Sequence, residues 1–406
     1  MDETLLTKLA ALSPLGSQEK VHRKCKVCSG IAPAFDVVDF QKICSTDQPY
    51  MFGQAGIPVY YYRCMDCEFL FTDFVDDWTA ADFSRFIYNE DYIKVDGDYA
   101  DARPRRDGAF FGELLAPYPG LSVLDYGGGA GVLAGVLRNA GFEAECYDPF
   151  SSPRRPERLF DVITCMEVIE HSPDPVGTLR DMASFLQPGG CILVGTGVQP
   201  DDIETVRTNW WYVAPRNGHV SLQSVASLVP LGKAAGLVPY PSGYLHGFAS
   251  APSAASAALL GRIGRPSLDL LLSAPDEASS AATLTCDLAD WHEIEDSSFR
   301  WTARSEIVWQ WTPPMGNCDV QLRLTSIMEI APDFLSRSRL LIGGQAVAIK
   351  VSGNSLRATA TLESDAPVEI RLVTPPPPTP RELYGTADTR QLGLAIRMRG
   401  APAANA

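Results

Sequence analysis

The period at which apolar residues recur differs between the middle and the last third of the chain. Between residues 120 and 250, runs such as Val123-Leu124, Phe160–Cys165 and Cys191–Thr196 alternate with segments that carry apolar residues at helical spacing. Strands that alternate with helices predict a mainly parallel sheet joined by right-handed crossovers. The middle of the chain is therefore predicted to be a doubly wound, Rossmann-like α/β core.

After residue 285, apolar positions alternate with polar ones, as in Ile307, Trp309 and Trp311. Further segments of the same kind, separated by glycine-rich turns, predict an antiparallel β-sandwich. Two stretches rich in alanine and serine, 249–258 and 274–282, predict linkers on either side of one apolar helix, Leu268–Leu272. The fold class is thus multidomain.

The 406 residues carry a formal charge of −15, and the sequence pI is near 4.8. An acidic surface repels polyanions, so a nucleic-acid substrate is disfavoured. The chain has no apolar run as long as a membrane helix requires, and we expect a cytoplasmic protein without a membrane span.

A glycine-rich turn follows the first strand of the α/β core in the pattern Asp125-x-Gly127-x-Gly129-x-Gly131. Glycines let a ligand approach the backbone, and the helix that follows presents free amides. A dinucleotide also uses such a turn, but the Asp125 carboxylate would repel a pyrophosphate. The carboxylate suits a ligand with an ammonium and a sulfonium group, which S-adenosylmethionine (AdoMet) carries.

This turn resembles the first motif of class I AdoMet-dependent methyltransferases, and the following strands continue the resemblance. It implies that Asp125 and the three glycines hold the methionine part of AdoMet, and that Asp148 accepts the ribose hydroxyls. We also assign Glu167, directly after the Phe160 strand, to the cofactor site. Residues 149–159 are too few for the helix and strand usual at this point of the family, so no adenine contact is assigned.

Two cysteine pairs, Cys25-x-x-Cys28 and Cys64-x-x-Cys67, precede the α/β core. In a reducing compartment such pairs indicate metal rather than disulfides. Four cysteine ligands leave no open coordination position, which favours a structural zinc over a reactive or empty site. Residues 59–62 are predicted to be the returning strand of a hairpin between the pairs.

An aromatic and acidic segment follows, with Tyr88 and Tyr92 near its end. A cysteine module followed by such a segment resembles the front of bacterial methyltransferases that act on sugars. We expect a lid whose tyrosines touch the substrate, with aromatic packing between modules as the alternative.

Two histidines compete for the role of catalytic base. His219 lies in a loop that follows the last parallel strand, where the resembled sugar methyltransferases keep a histidine, and His171 follows the Phe160 strand. Histidine titrates near neutral pH and suits the removal of a hydroxyl proton. Trp211 and Tyr212 of the same loop are candidates for stacking on a sugar, with core packing as the alternative.

The C-terminal part also resembles a known module, a sandwich attached to bacterial enzymes of surface-polysaccharide assembly. The resemblance rests on Trp291-His292-x-x-Glu295, Arg300-Trp301-Thr302, Arg381–Leu383 and Asp388-x-Arg390-x-Leu392-Gly393-Leu394. It implies glycan binding or contact with such enzymes. We expect Trp309 and Trp311 in the core, and Trp291 and Trp301 free to stack on a sugar.

The predicted order of parts is a zinc module (20–75), an aromatic lid segment (76–110), a methyltransferase domain (111–250), a linker with a short helix (251–284) and a β-sandwich (285–400). The expected function is O-methylation of a sugar in a bacterial surface glycan or its activated precursor. C-methylation of a nucleotide keto sugar is the nearest alternative. A non-catalytic glycan-binding adaptor, and a methyltransferase for small molecules or RNA, are the others.

Overall fold

We describe a computed structural model of the chain. It describes residues 22–397 apart from 152–153, 252, 265–266, 275–283, 296–298, 314–316, 332 and 353–354. The chain divides into two compact units, the first ending at Gly264 and the second beginning at Arg265. Within the described residues, no helix has both the length and the apolar character needed to cross a membrane.

The first unit contains two sheets and eight α-helices among its described residues. Its strands are β1 (His22–Lys24), β2 (Ile31–Asp39), β3 (Pro58–Arg63), β4 (Leu70–Phe71), β5 (Ser122–Tyr126), β6 (Glu143–Tyr147), β7 (Phe160–Met166), β8 (Leu186–Gly195), β9 (Ser221–Leu222), β10 (Val238–Tyr240) and β11 (Leu245–Ala249). Its helices are α1 (Ala80–Phe86), α2 (Tyr92–Val95), α3 (Ala102–Leu115), α4 (Val132–Asn139), α5 (Pro175–Ala183), α6 (Ile203–Val206), α7 (Val225–Ala234) and α8 (Ala254–Arg262).

The larger sheet has the order β10-β11-β8-β7-β5-β6. β5 pairs in parallel with β6 and with β7, and β7 pairs in parallel with β8, as predicted. β11 and β10 extend the sheet in antiparallel sense. Parallel strands are joined by helices and are buried on both faces, and β5 is buried along its whole length. The carboxyl ends of β5, β6 and β7 consequently meet at one edge.

The sheet ends at β6, which neighbours β5 directly. Among the described residues, no helix or strand lies between Tyr147 and Phe160. The shortened segment predicted for residues 149–159 is therefore confirmed for the part that the structure describes.

The smaller sheet has the order β1-β2-β3-β4-β9 and joins two distant parts of the chain. β2 and β3 form the predicted hairpin between the cysteine pairs. β9 comes from the loop after the larger sheet, and it pairs with β4 through Leu70↔Leu222 and Phe71↔Ser221. The cysteine-rich segment is therefore built into the first unit.

The second unit is formed by two sheets, one short α-helix and one 3₁₀ helix (Leu288–Asp290) among its described residues. The first sheet has the order β14-β22-β16-β20-β19, with β12 parallel to β16, and the second has the order β13-β15-β21-β17-β18. The elements are β12 (Ser267–Leu271), β13 (Leu284–Cys286), β14 (Phe299–Trp301), β15 (Glu306–Trp311), β16 (Cys318–Glu329), β17 (Arg339–Ile342), β18 (Gln345–Val347), β19 (Ile349–Ser352), β20 (Ser355–Leu362), β21 (Val368–Val373), α9 (Pro380–Tyr384) and β22 (Leu394–Arg397).

The alternating pattern of this unit predicts burial correctly along several strands. In β15, Ile307, Trp309 and Trp311 are buried while the residues between them are not. Trp309 and Trp311 therefore pack in the core, as expected. The sandwich arrangement of the two sheets stays a prediction.

Several local predictions were wrong. Leu268–Leu272 was predicted to be helical, but Ser267–Leu271 is a strand that pairs with β16, because a short apolar run fits a buried strand equally well. The predicted linker at 249–258 contains α8, which begins at the serine cap Ser253. The second stretch, 274–282, lies outside the described residues from 275 onward.

Strand pairing sets the boundaries of two helices in the first unit. Ser221 and Leu222 form β9, and α7 begins at Val225, after a capping box at Ser224. The helix α5 ends at Ala183, and Leu186 already belongs to β8, which pairs with β7.

Replacement of Leu193 by alanine should strongly destabilise the first unit. Leu193 lies in β8 between two neighbouring strands and is 0% exposed. We expect the free energy of unfolding to fall by about 2–5 kcal/mol in urea titrations followed by circular dichroism. The matched change Leu159→Ala, at a side chain that is 41% exposed, should cost less than about 0.5 kcal/mol. Equal effects of the two changes would contradict this account of the core.

Candidate functional site

A cavity of about 990 Å³ lies in the first unit, at the carboxyl ends of β5, β6 and β7. Residues from the glycine turn, from the loops after β6 and β7, and from the segment before the sheet form its wall. They include 125–130, 148–151, 166–168 and 171–174, together with Tyr88, Tyr92, Tyr99, Arg103 and Asp107. Crevices of this kind, at the carboxyl ends of parallel strands, are the usual ligand sites of α/β sheets.

The glycine turn needs its glycines for two physical reasons. Gly127, Gly129 and Gly131 adopt φ values of 74°, 53° and 75°, which side chains other than glycine rarely tolerate. A Cβ on Gly127 would also lie 2.6 Å from a methyl group of Val168. Gly127 and Gly129 line the cavity, whereas Gly131 is the N-cap of α4 and does not belong to the cavity wall.

Asp125 is the residue before the last of β5; it lies at the cavity and is only 2% exposed. The Thr164 hydroxyl donates to its Oδ1 at 3.2 Å. Oδ2 is buried, and it has no hydrogen-bond partner among the described residues. Burial raises the pKa of Asp125 to about 7, because the charged form loses its hydration. A cation at this point would restore the missing interaction.

Asp148 follows β6 and organises the loop opposite the glycine turn. Its Oδ1 accepts from the amides of Phe150 and Ser151 at 2.8 and 3.0 Å, and its Oδ2 accepts from the Gly129 amide at 3.1 Å. The carboxylate therefore ties the two cavity loops together and remains part of the cavity wall.

Glu167 follows β7 in a backbone conformation that is unusual for its residue type. Its φ is 52°, and the amide donates to the Gly195 carbonyl at 2.9 Å. Strained residues of this kind cluster at functional sites. The Tyr244 hydroxyl donates to its Oε1, and the Tyr212 hydroxyl lies 3.3 Å from its Oε2.

A second carboxylate lies behind Glu167. Glu170 is fully buried and accepts from the Tyr212 hydroxyl at 2.8 Å and from Thr196 at 3.0 Å. Burial, followed by the charge of Glu170, raises the pKa of Glu167 to about 7. Glu167 consequently titrates near neutral pH and faces the cavity.

The two candidate histidines lie side by side, with ring centroids 4.9 Å apart, but only one of them lines the cavity. His171 is part of the wall, and its Nδ1 has no hydrogen-bond partner among the described residues. His219 is 4% exposed, and its Nδ1 lies 2.9 Å from the Tyr212 carbonyl. His219, directly after the turn at 216–218, is therefore buried and does not line the cavity.

Burial lowers the pKa of His171 to about 4 and the pKa of His219 well below its ordinary value. Both rings are therefore neutral at neutral pH, and His171 is a weak base. Glu170, His171 and His219 also bring one donor atom each to within 4.8 Å of one another. Since Glu170 already accepts two hydrogen bonds, we interpret this cluster as a packed polar network and not as a metal site.

The candidate stacking residues of the 207–220 loop do not line the cavity. Tyr212 is 2% exposed and is held by its hydroxyl at Glu170. Trp211 is 47% exposed and lies outside the cavity wall. The prediction of core packing thus holds for Tyr212, which positions two glutamates.

The segment before the sheet supplies the aromatic wall of the cavity. Tyr88 and Tyr92 line it with ring centroids 5.0 Å apart, and Tyr88 lies 6.1 Å from the ring of His171. The ring centroid of Phe83 lies 5.9 Å from that of Phe150, in the loop after β6. This segment lies against both sides of the cavity, and contact of the tyrosines with substrate stays a prediction.

The cysteine-rich part holds the 207–220 loop in place. The buried Lys42 ammonium donates to the Trp210 and Val213 carbonyls at 2.9 and 2.6 Å. The Tyr61 hydroxyl donates to the His219 carbonyl at 2.7 Å, and the Asn217 side chain accepts from the Cys44 amide at 2.9 Å. The loop beside the cavity is therefore fixed from outside the larger sheet.

The four cysteines predicted to bind metal converge. Their sulfur atoms all lie within 4.8 Å of one another, with Cys25 3.7 Å from Cys67 and Cys28 3.4 Å from Cys64. Zinc in a tetrahedron of four thiolates has Zn–S distances of about 2.3 Å, which separates the sulfurs by about 3.8 Å. The donor set fits a structural zinc ion.

Sequence reasoning missed three groups of this site. Arg103 and Asp107 lie on α3 at the cavity, and Tyr244 reaches Glu167 from the loop before β11. The spacing Arg103-x-x-x-Asp107 places both on one helix face, which was a usable signal. The signal for Tyr244 was absent, because its contact depends on antiparallel pairing of β11 with β8.

The two tryptophans expected to be free in the second unit are buried. Trp291 and Trp301 are each 6% exposed. The Trp301 indole nitrogen donates to Glu295 at 3.3 Å. The expectation of a stacking surface at these two residues was therefore wrong, because both pack in the interior of the unit.

Residues 98–240 match a family model described as "Methyltransferase domain". The chain is 32% identical to a ubiquinone biosynthesis O-methyltransferase of Caulobacter vibrioides, over 27% of this chain and 52% of that protein. A protein of the same name from Albidiferax ferrireducens is 31% identical, over 20% of this chain and 43% of its own length. The chain thus spans about half the length, or less, of these relatives.

Among solved structures, the chain is similar to an O-methyltransferase family protein from Burkholderia thailandensis, with a TM-score of 0.31 and 16% identity, over 41% of this chain and 61% of that chain. The matched region, 98–240, contains the glycine turn and every strand of the parallel sheet. Residues 98–240 are thus similar to a methyltransferase domain.

Proposed function

We propose that this protein transfers the methyl group of AdoMet to a hydroxyl group of a sugar. The observation that carries the proposal is one cavity that contains both halves of the required chemistry. Asp125, Asp148 and the glycine turn lie on one part of its wall, and Glu167, His171 and two tyrosines lie on another. A cofactor and an acceptor can therefore meet there in line.

The cofactor residues act by charge and by hydrogen bonding. Asp125 offers a buried, unsatisfied oxygen to the ammonium of the methionine part, and Asp148 offers a carboxylate to the ribose hydroxyls. AdoMet supplies an electrophilic methyl group on a positively charged sulfur. The protein aligns this group with the acceptor and accepts the hydroxyl proton.

Glu167 is the proton acceptor in this proposal, and His171 orients the acceptor hydroxyl. Glu167 lines the cavity with a pKa of about 7, whereas His171 has a pKa of about 4. A base whose pKa lies near the working pH is the more effective one. His219 acts indirectly, by packing against His171.

The sugar is the proposed acceptor because Tyr88 and Tyr92 offer aromatic surface beside polar groups, a combination that suits sugar rings. The cysteine module and the aromatic segment that precede the α/β core also support a sugar acceptor, because this order resembles that of bacterial sugar methyltransferases. A quinone precursor is the second candidate, because the relatives named above act in ubiquinone biosynthesis. A phenol ring would stack on the same tyrosines.

One screen distinguishes these acceptors. The protein is incubated with AdoMet labelled in its methyl group and with neutral sugars, a nucleotide keto sugar or phenols, and labelled products are separated by chromatography. Label in a sugar ether supports the proposal, and label at carbon of the keto sugar supports C-methylation. Label in a phenol alone would replace the sugar by the second candidate.

Asp125→Asn should weaken AdoMet binding by at least about tenfold at pH 8, because the ammonium loses its buried counter-charge. In the unchanged protein, affinity should rise between pH 6 and pH 8, since Asp125, with a pKa of about 7, ionises in this window. Isothermal titration calorimetry measures both. Asp98→Asn, at an exposed ion pair with Arg106, is the matched control and should bind AdoMet normally.

Glu167→Gln should lower kcat/KM by roughly 10²–10⁴-fold on the acceptor that the screen identifies. In the unchanged protein, with AdoMet saturating at every pH, kcat/KM for the acceptor should increase with pH through about 7, as Glu167 loses its proton, and this rise should disappear in the variant. Glu157→Gln, at a side chain that is 86% exposed, should leave the profile unchanged. A retained rise in Glu167→Gln would assign the proton to another group.

Metal analysis of the purified protein should find about one zinc ion per chain. Cys67→Ser should lose most of this zinc and lower the melting temperature, because it removes one of the four thiolates that would hold the ion. Cys286→Ser, at a half-buried cysteine outside the cluster, should keep the metal. Full zinc in Cys67→Ser would refute the four-cysteine site.

A further inference from the structure

Two aromatic side chains near the cavity are exposed and have no assigned role toward a ligand. Trp211 is 47% exposed and Tyr244 is 52% exposed, although large aromatic side chains usually bury most of their surface. Neither residue belongs to the cavity wall, whereas Glu167, the proposed proton acceptor, does. The two rings therefore lie outside the cavity that holds the reacting groups.

Both rings are connected to Glu167 by short contacts. The Tyr244 hydroxyl donates to Oε1 of Glu167. The Tyr212 hydroxyl lies 3.3 Å from Oε2 of the same carboxylate, and the edge of the Trp211 ring packs on the Tyr212 ring with their centroids 5.1 Å apart. Trp211 is thus separated from the carboxylate by one buried ring. The two exposed rings extend the acceptor side of the cavity outward.

The cations of the 207–220 loop indicate which molecules do not fit on these rings. Both arginines of the loop are already engaged. Arg207 pairs with Asp36 at 3.1 Å, and Arg216 is buried and donates to the Ile87 carbonyl at 2.8 Å. Phosphate groups are bound in proteins by arginine and lysine side chains, and neither arginine of this loop can turn to one without losing its present partner.

The cavity wall gives the same indication. Among its described residues Arg103 is the one arginine or lysine, and it pairs with Asp96 at 2.7 Å. Carboxylates of the same wall include Asp107 and Glu167. A nucleoside diphosphate attached to the reacting sugar would bring its negative charges close to these carboxylates. The wall and the loop therefore both favour an acceptor without phosphate.

An uncharged sugar ring matches the exposed surface. Tryptophan and tyrosine present a flat apolar face, on which the C–H groups of a sugar ring stack, and a polar tip that hydrogen-bonds its hydroxyls. Such rings beside an acceptor site have an evident occupant, because a glycan chain that places one sugar in the cavity continues outward past the cavity mouth.

We propose that Trp211 and Tyr244 form an outer subsite, which binds a second, uncharged sugar of the acceptor while the first sugar occupies the cavity. This inference rests on the proposed function, since it assumes that a sugar hydroxyl is methylated at Glu167. It narrows the acceptor to a neutral oligosaccharide, in preference to a single sugar or a nucleotide-linked sugar.

The experiment compares three forms of the sugar that the methyl-transfer screen identifies, with AdoMet saturating at pH 8. They are the methyl glycoside of the single sugar, a linear trisaccharide of the same sugar, and the sugar linked to a nucleoside diphosphate. The KM for the trisaccharide should be at least about fivefold lower than for the single sugar, because a second ring adds a stacking contact. The nucleotide-linked form should gain nothing over the single sugar.

Trp211→Ala should raise the KM for the trisaccharide about three- to tenfold, while kcat/KM for the single sugar changes less than about twofold. Trp211→Phe should keep most of the preference for the trisaccharide, because it retains a ring. Tyr60→Ala is the matched control, since Tyr60 is 41% exposed on β3 of the same unit and does not line the cavity. It should leave the kinetics of both acceptors unchanged.

A trisaccharide with the same KM as the single sugar in the unchanged protein would overturn the inference, and so would a preference for the nucleotide-linked form. An equal loss on both acceptors in Trp211→Ala would show that Trp211 only supports Tyr212, and would also overturn the subsite. If no sugar of any form is methylated, the proposed function itself is refuted, and the subsite is refuted with it.

Discussion

The site depends on the burial of one carboxylate at the end of a central strand. Asp125 lies where β5 passes into the glycine turn, is almost inaccessible to solvent, and leaves one oxygen without a partner among the described residues. Such a group costs free energy in the unliganded protein. The surrounding structure holds the carboxylate in this buried position: strands lie on both sides of β5, three left-handed glycines form the turn, and the Thr164 hydroxyl donates to one oxygen at 3.2 Å.

The second organising feature is the position of the loop between β8 and α7. Its carbonyls accept from Lys42 and Tyr61, and its tyrosine fixes two glutamates at the cavity. The cysteine-rich part therefore fixes the loop that positions the two glutamates, although none of residues 22–75 lines the cavity. A metal ion in the knuckles would stabilise the sheet from which Tyr61 reaches the loop.

A feature of the fold or the site could be predicted from the sequence when neighbouring residues along the chain define it. Short motifs define the strand before the glycine turn and the carboxylates Asp125 and Asp148, and both carboxylates line one cavity. Short motifs also define the four cysteines, whose sulfur atoms converge in a separate cluster. The burial of His219, Trp291 and Trp301 depends on partners far away in the chain, such as Tyr61 for the His219 loop. Residues 267–271 became a strand because β16 lies beside them, which no property of the five residues reveals.

The pairing of β4 with β9 has a consequence for biosynthesis. The last strand of the N-terminal sheet leaves the ribosome about 150 residues after its neighbour, which takes roughly 8 to 30 seconds at ordinary rates of translation. During this interval the edge of β4 is exposed, with Leu70 and Phe71 ready to pair elsewhere. An ion held early by the two knuckles would keep the half-made sheet in register until its final strand arrives.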